Sequence, residues 1–352
     1  MAQKVHNEVL VKLKGGIGIQ KFATQKPNGA PKYGQNGAAL GKYKVKESLN
    51  KLKIHRFELT AGQSVDEALA DLGSDPDVEY AEPNYIFGKL EVEKSQTMTK
   101  SDLDAMALAN GSSSLAFTLA NIQTSEAWGV AHGSEKPIIA IIDSGSDASH
   151  EILRDALWTN PNEIAANGVD DDHNGYVDDI HGWNFVNNTN NPADGDGHGT
   201  HVAGIVRGVS QDIFAWPLGS ASIQIMTLKF LDDNGSGSTA DAVSAIYYAV
   251  NNGAKILNNS WGGTTYSRAL HEAIAFAYQH EVLFIAAAGN AKSNNDSSPM
   301  YPANYDVPNV LSVAATNDYD SLASFSNFGV SSVHIASPGV SILSSYPPNS
   351  YT

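Results

Sequence analysis

From Ile138 onward, short apolar runs alternate with stretches of helical period, and this alternation restricts the fold more than any other property of the chain. The runs Ile138 to Ile142, Gln224 to Leu231, Lys255 to Asn259, Val282 to Ala287 and Val310 to Ala314 read as strands. His201 to Val209, Thr239 to Asn252 and Ser267 to His280 read as helices. In the second of these, Ala242, Ala245, Ile246 and Ala249 share one face, and Gly253 supplies a stop signal. Such alternation predicts an α/β core: a parallel sheet with helices on both faces, joined by right-handed crossovers. Sheets of this kind bind ligands beyond the C-terminal ends of their strands. Asp143 ends the first run, Ser260-Trp261-Gly262-Gly263 follows the third and Asn290 follows the fourth, so the notable residues gather at one edge.

The first 87 residues have a different texture. Glu8 to Lys14 and Lys53 to Thr60 alternate apolar and polar side chains as half-buried strands do, with a basic, Gly-rich stretch between them that reads as a loop. Ser64 with Glu67 forms a capping-box signature leading into Ala68, Leu69 and Leu72, and Gly73 stands where the helix would end. Another strand-like segment, Val78 to Tyr85, follows. The expected organisation is a small α+β domain over 1–87, a polar linker over 88–123 and the α/β domain over 124–352. Whether Ser101 to Asn110 forms a short helix in the linker is left open.

Composition excludes several classes of function. The 352 residues carry a formal charge of −16, which disfavours nucleic acid because binding there depends on cationic contacts to phosphate. No window reaches the ~18 consecutive apolar residues of a membrane span. With no cysteine, there are no disulfides, thiolate metal sites or cysteine nucleophile. The N-terminus lacks the apolar core of a signal peptide, so either a signal is missing from this sequence or the protein stays inside the cell.

Asp170, Asp172 and Asn174 place oxygen ligands at positions one, three and five of a loop with Gly175 at the sixth. The carbonyl of Tyr176 would be the seventh, and Asp178 and Asp179 supply later acids, a spacing that resembles a calcium loop. Position twelve is His181 rather than the Glu of an EF-hand, and a solvated acidic loop is the plainer alternative. The hard oxygen donors favour structural Ca2+ over zinc. Asp194 and Asp196 offer a second, weaker site.

Two segments carry a family likeness: Ile-Ile-Ala-Ile-Ile-Asp-Ser-Gly at 138–145 and Asp-Gly-His-Gly-Thr-His-Val-Ala-Gly at 196–204. Both resemble motifs of the subtilisin-like serine proteases. The likeness runs from about Trp128 to Ser345 and takes in Ser324 to Gly329 and Ala336 to Gly339. It implies that Asp143 orients His198, that His198 serves as general base and then general acid, and that Asn290 donates to an oxyanion. His201, one helical turn on, is the structural histidine of the pair. Ser260, Trp261, Gly262 and Gly263 resemble the strand on which an extended peptide substrate pairs, and Leu231 to Gly237 the opposite rim. Substrate preference would be set by a pocket near Ala286 to Gly289.

Val-Glu-Tyr-Ala-Glu-Pro-Asn-Tyr at 78–85 resembles the closing strand of a subtilisin propeptide, which implies an inhibitor and chaperone whose tail occupies the cleft. A secreted, calcium-stabilised, monomeric endopeptidase zymogen is the expectation, with maturation cleavage in the linker. The family's Gly-Thr-Ser-x-Ala-x-Pro motif does not occur between Met1 and Thr352, so the 352-residue form is expected to be truncated before its nucleophile and inactive. A non-catalytic relative that binds peptides or inhibits proteases is the other reading.

Overall fold

The computed structural model describes residues 3–22, 43–49, 51–90, 97–102, 122, 136–210 and 222–352. Most of the expected linker, including most of 101–110, and residues 23–42 of the early loop lie outside them.

In the N-terminal domain, β1 (Lys4–Leu13), β2 (Lys44–Leu49), β3 (Ile54–Glu58) and β4 (Val78–Lys89) form an antiparallel sheet in the order β2-β3-β1-β4. Helix α1 (Val65–Ser74) starts at Ser64, whose side chain accepts from the Glu67 amide while the Glu67 carboxylate accepts from the Ser64 amide. Its apolar face, Val65, Ala68 and Leu72, packs with Val9, Val11 and Phe57 of the sheet. The expected strands and helix are present. Strand β2 lies in the stretch read as loop, because its Lys-Val-Lys-Glu pattern covers a sheet edge with little apolar signal. Strand β4 runs four residues beyond Tyr85 and crosses the anticipated boundary at 87.

The larger domain is built on a seven-stranded parallel sheet. Its strands are β5 (Ile138–Asp143), β6 (Gly182–Asn184), β7 (Gln224–Lys229), β9 (Ile256–Asn259), β11 (Leu283–Ala287), β12 (Val310–Thr316) and β13 (Ile335–Pro338). They lie in the order β13-β12-β11-β9-β5-β7-β6. The short strands β8 (Ser236–Ser238) and β10 (Trp261–Gly262) stand outside this sheet, and β14 (Ser345–Tyr346) with β15 (Ser350–Tyr351) makes a small hairpin. Helices α2 (His198–Ser210), α3 (Thr239–Asn251) and α4 (Arg268–Gln279) connect the layers. All five expected core strands and all three helices are found; β6 and β13 are too short or too polar to show a pattern. Among the described residues, no helix is long and apolar enough to cross a membrane.

Helix α3 departs from the expected one-faced burial, since Val243, Ser244 and Val250 are buried as well as Ala242, Ala245, Ile246 and Ala249. The cause is that the N-terminal domain covers it. Leu10, Leu49, Leu52, Ile54 and Phe87 belong to the same apolar cluster as Leu228, Ile246 and Leu257 of the large domain. Polar contacts frame this interface. The Arg56 guanidinium donates to Glu8 at 2.7 Å and to Asp241 at 2.8 Å, and Ser244 donates to Glu47 at 2.6 Å. Glu82 accepts from the backbone amides of Arg268 at 2.8 Å and Ala269 at 3.1 Å, where the first turn of α4 leaves donors unpaired.

Arg56 is only 17% exposed, and it neutralises Glu8 and Asp241, which are 3% and 12% exposed. Removing one member of a buried pair leaves an uncompensated charge. Arg56→Met is therefore expected to lower stability by roughly 3 kcal/mol in urea denaturation, and a loss well under 1 kcal/mol would contradict this role.

Candidate active site

Strand β5 delivers Asp143 to the C-terminal edge of the sheet, fully buried. Helix α2 begins at His198, and a web of short bonds ties that start to the end of β5. Asp194 accepts from Ser144 Oγ at 2.9 Å and from the amides of Asp196, Gly197 and Thr200. Ser144 Oγ accepts in turn from the Gly199 amide at 2.9 Å. Gly199 must be glycine, since a Cβ there would lie 2.1 Å from the Gly145 carbonyl oxygen. The result is a 2.7 Å hydrogen bond between His198 Nδ1 and Asp143 Oδ1, closed off from solvent.

The other ring nitrogen meets the chain itself. His198 Nε2 lies 3.0 Å from the Leu90 carbonyl oxygen, just past the end of β4. Both ring nitrogens thus face acceptors, and only the imidazolium can donate to both. Burial opposes that charge, but the Asp143 carboxylate outweighs it and holds the pKa above its ordinary 6.5. In this arrangement the Leu90 carbonyl occupies the position beside Nε2 from which a proton would be taken. His201 differs: burial pushes it down to about 4, and its Nε2 bonds the Ile342 carbonyl, a structural role as expected.

Residues 86 to 90 lie in a cleft as a strand bound on both sides. Ile86, Phe87 and Gly88 pair antiparallel with Ser238, Gly237 and Ser236 of β8. Lys89 and Gly88 pair with Trp261 and Gly262 of β10. The Lys89 amide donates to the Gly235 carbonyl at 2.8 Å, and the Leu90 amide to that of Ser260 at 3.0 Å. Phe87 is buried with its ring 5.5 Å from that of Trp261, and a Cβ on Gly263 would meet it at 3.0 Å. Residues 260–262 on one side and 235–238 on the other thus flank one extended strand, the latter overlapping the stretch Leu231 to Gly237.

Asn290 follows β11 and is exposed. Its loop is held by buried Asn327, which accepts from the amides of Ala291 at 2.8 Å and Ser293 at 3.0 Å and donates to the carbonyl of Ala288 at 3.1 Å. Sequence reading missed Asn327 as a positioning residue. The only trace was its place in Ser324 to Gly329.

The acidic loop is ordered differently from its linear spacing. Asp172 and Asp179 converge with Glu163, each offering a carboxylate oxygen within 4.8 Å of the others. Asp170 instead accepts from the amides of Asn174 and Gly175, Asp178 from those of Asn167 and Gly168, and Asn174 Oδ1 from that of Tyr176. The Tyr176 ring packs on Trp183 and Phe185. Glu163 comes from a separate turn, outside any spacing rule, and was missed. Burial and the charge of Asp172 push the Asp179 carboxyl up, against hydrogen bonds from Tyr248, Asn174 and Asn160. Asp194 and Asp196 do not form a second cluster, because Asp194 organises the α2 start and Asp196 pairs with Lys89.

Residues 134–352, which carry this buried Asp–His pair, match the subtilase family. The chain belongs to the subtilase family. Residues 32–84 match the fervidolysin N-terminal prodomain, so the subtilase core follows a prodomain. A thermophilic serine proteinase of Bacillus sp. (strain AK1) is 32% identical over 348 residues, 99% of this chain and 73% of that protein. Thermitase of Thermoactinomyces vulgaris is 34% identical over 230 residues, 65% of this chain and 72% of that protein. The crystal structure of a cold adapted subtilisin-like serine proteinase matches with a TM-score of 0.47 at 28% identity, over 61% of this chain and 67% of that one.

The raised pKa of His198 has a definite sign in this subtilase. A histidine that gains a carboxylate partner on folding adds stability that is fully present below its ordinary 6.5 and is lost as pH rises through the raised value. NMR titration of the imidazole is expected to place His198 above 6.5, and Asp143→Asn to bring it down. A midpoint at or below 6.5 in the unaltered chain would contradict the arrangement.

Proposed function

We propose that this subtilase is a serine endopeptidase zymogen in a self-blocked state. The observation that carries the reading is the double engagement of His198, with Asp143 on Nδ1 and the Leu90 carbonyl on Nε2. Asp143 fixes the ring and stabilises its imidazolium. Once the tail withdraws, His198 Nε2 is free to take a proton from a serine hydroxyl and later to return it to the leaving amine. Asn290 donates its amide to the developing oxyanion, a contribution typically worth ~10² to 10³ in turnover. Ser260, Trp261 and Gly262 pair with an extended substrate as they pair with residues 88 to 90, and Gly263 borders the same groove. The prodomain is the cleft's own partner, and peptides in extended conformation are its substrates.

The donor set at Glu163, Asp172 and Asp179 fits structural Ca2+. Three hard oxygens converge, and the side-chain amides of Asn160 and Asn174 lie against Asp172 and Asp179 at 3.0 to 3.1 Å. These amides hold the two aspartates in place, since the oxygens of Asn160 and Asn174 are in turn fixed by the amides of Asn162 and Tyr176. The ion would neutralise three crowded carboxylates and fasten the 160–179 loop to Tyr248.

In a serine-bearing form, peptidase activity is expected to disappear on His198→Ala; full activity in that variant would refute the assigned role. For the ion, addition of a chelator is expected to lower the melting temperature by several degrees, and an unchanged melting curve would remove calcium from the reading.

A further inference from the structure

We propose that Asp196 makes this cleft selective for lysine at the residue immediately before the one whose carbonyl faces His198, with Lys89 as the chain's own occupant of that subsite. The inference rests on the peptidase reading above and adds a substrate class to it: peptides carrying lysine next to the presented residue.

The Lys89 ammonium reaches both oxygens of the Asp196 carboxylate, at 2.7 and 2.6 Å. The two side chains are only 16% and 7% exposed, so the pair is largely withdrawn from solvent, unlike an ordinary surface ion pair. The stem of Lys89 is shaped to as well. It lies over Gly235, where a Cβ would come within 2.6 Å of Lys89 Cγ and Cδ. Gly235 has φ +75, a conformation that strains any other residue, so the floor of the groove stays open for a long aliphatic stem.

The carboxylate is positioned from its own side of the cleft. Asp196 Oδ1 accepts from the His198 amide at 3.2 Å, its amide donates to Asp194 at 3.0 Å, and its carbonyl accepts from the Tyr346 hydroxyl at 3.1 Å. The same turn therefore sets Asp196 and His198, which locks the lysine subsite in register with the presented carbonyl. The neighbouring cation does not satisfy Asp196, because Lys229 donates to Asp233 at 2.8 Å and to the Ser144 carbonyl at 2.7 Å. A neutral side chain in place of lysine would leave a mostly buried carboxylate without its counter-ion, and an acidic one would add repulsion.

Two experiments test this. In the 352-residue chain, Lys89→Met and the near-isosteric Asp196→Asn are each expected to speed hydrogen exchange at the Lys89 and Leu90 amides by roughly tenfold or more, the range of a charge-assisted bond. The exchanged pair Lys89→Asp with Asp196→Lys is expected to restore much of the protection. Unchanged exchange in both single variants, or no restoration in the double variant when circular dichroism shows it folded, would overturn the pairing. In a serine-bearing form, peptides Phe-Gly-X-Leu extended at the C-terminus are compared with X as Lys, Ala or Glu. A kcat/KM for Lys roughly tenfold or more above that for Ala, with the ratio collapsing in Asp196→Asn, supports the proposal. Hydrolysis of all three at similar rates overturns the proposal and leaves the peptidase reading standing. Hydrolysis of none overturns the peptidase reading, and hydrogen exchange still decides the contact.

Discussion

One extended strand belongs to both domains, and the rest of the molecule is organised around it. Strand β4 completes the antiparallel sheet of the prodomain through β1 and then runs on between β8 and β10 of the peptidase domain. Each pairing satisfies backbone groups that a lone strand or an open cleft would leave to water. Phe87 anchors the run by burying its ring against Trp261. Through this strand the position of Leu90 beside His198 is coupled to the packing of a domain whose own core lies elsewhere.

The domain interface supports that coupling by burying charge in pairs. Arg56 between Glu8 and Asp241, Lys12 on Glu272 and Glu82 at the start of α4 each bring a prodomain side chain to a peptidase group that would otherwise face solvent or lack a partner. Paired charges contribute less net stability than apolar contact, yet they are costly to mismatch. They therefore set the register of docking, while the shared cluster of Leu10, Ile54, Phe87, Ile246 and Leu257 supplies adhesion. Docking in that register delivers a carbonyl to His198 Nε2.

Much of this was legible in the chain. The alternation from Ile138 to Ala314 identified the parallel sheet, since a strand buried on both faces must be nearly all apolar. The Ser64 and Glu67 signature identified the start of α1, because capping is a local exchange of bonds. Motif likeness singled out Asp143, His198 and the 260–263 segment. Elements with weak local signal escaped: β2 reads as polar because it is an edge, and β6 spans only Gly182–Asn184. The acidic loop shows the limit most plainly. Alternate spacing singles out Asp170 and Asp178 among the candidate ligands; both accept from nearby amides, and the carboxylates that converge are those of Glu163, Asp172 and Asp179.

What the sequence determined by itself is therefore whatever depends on local periodicity and contiguous motifs: the α/β core, the capped helix, and Asp143 and His198 as the candidate pair. Tertiary structure decided which groups meet across long separations. Leu90 against His198, Lys89 on Asp196, Asn327 beneath the 289–293 loop and Arg56 on Asp241 join residues from different elements. No spacing rule reaches across such separations, because these contacts are fixed by how whole sheets and helices pack, and a hydrogen bond forms only after that packing has brought its two ends within about 3 Å.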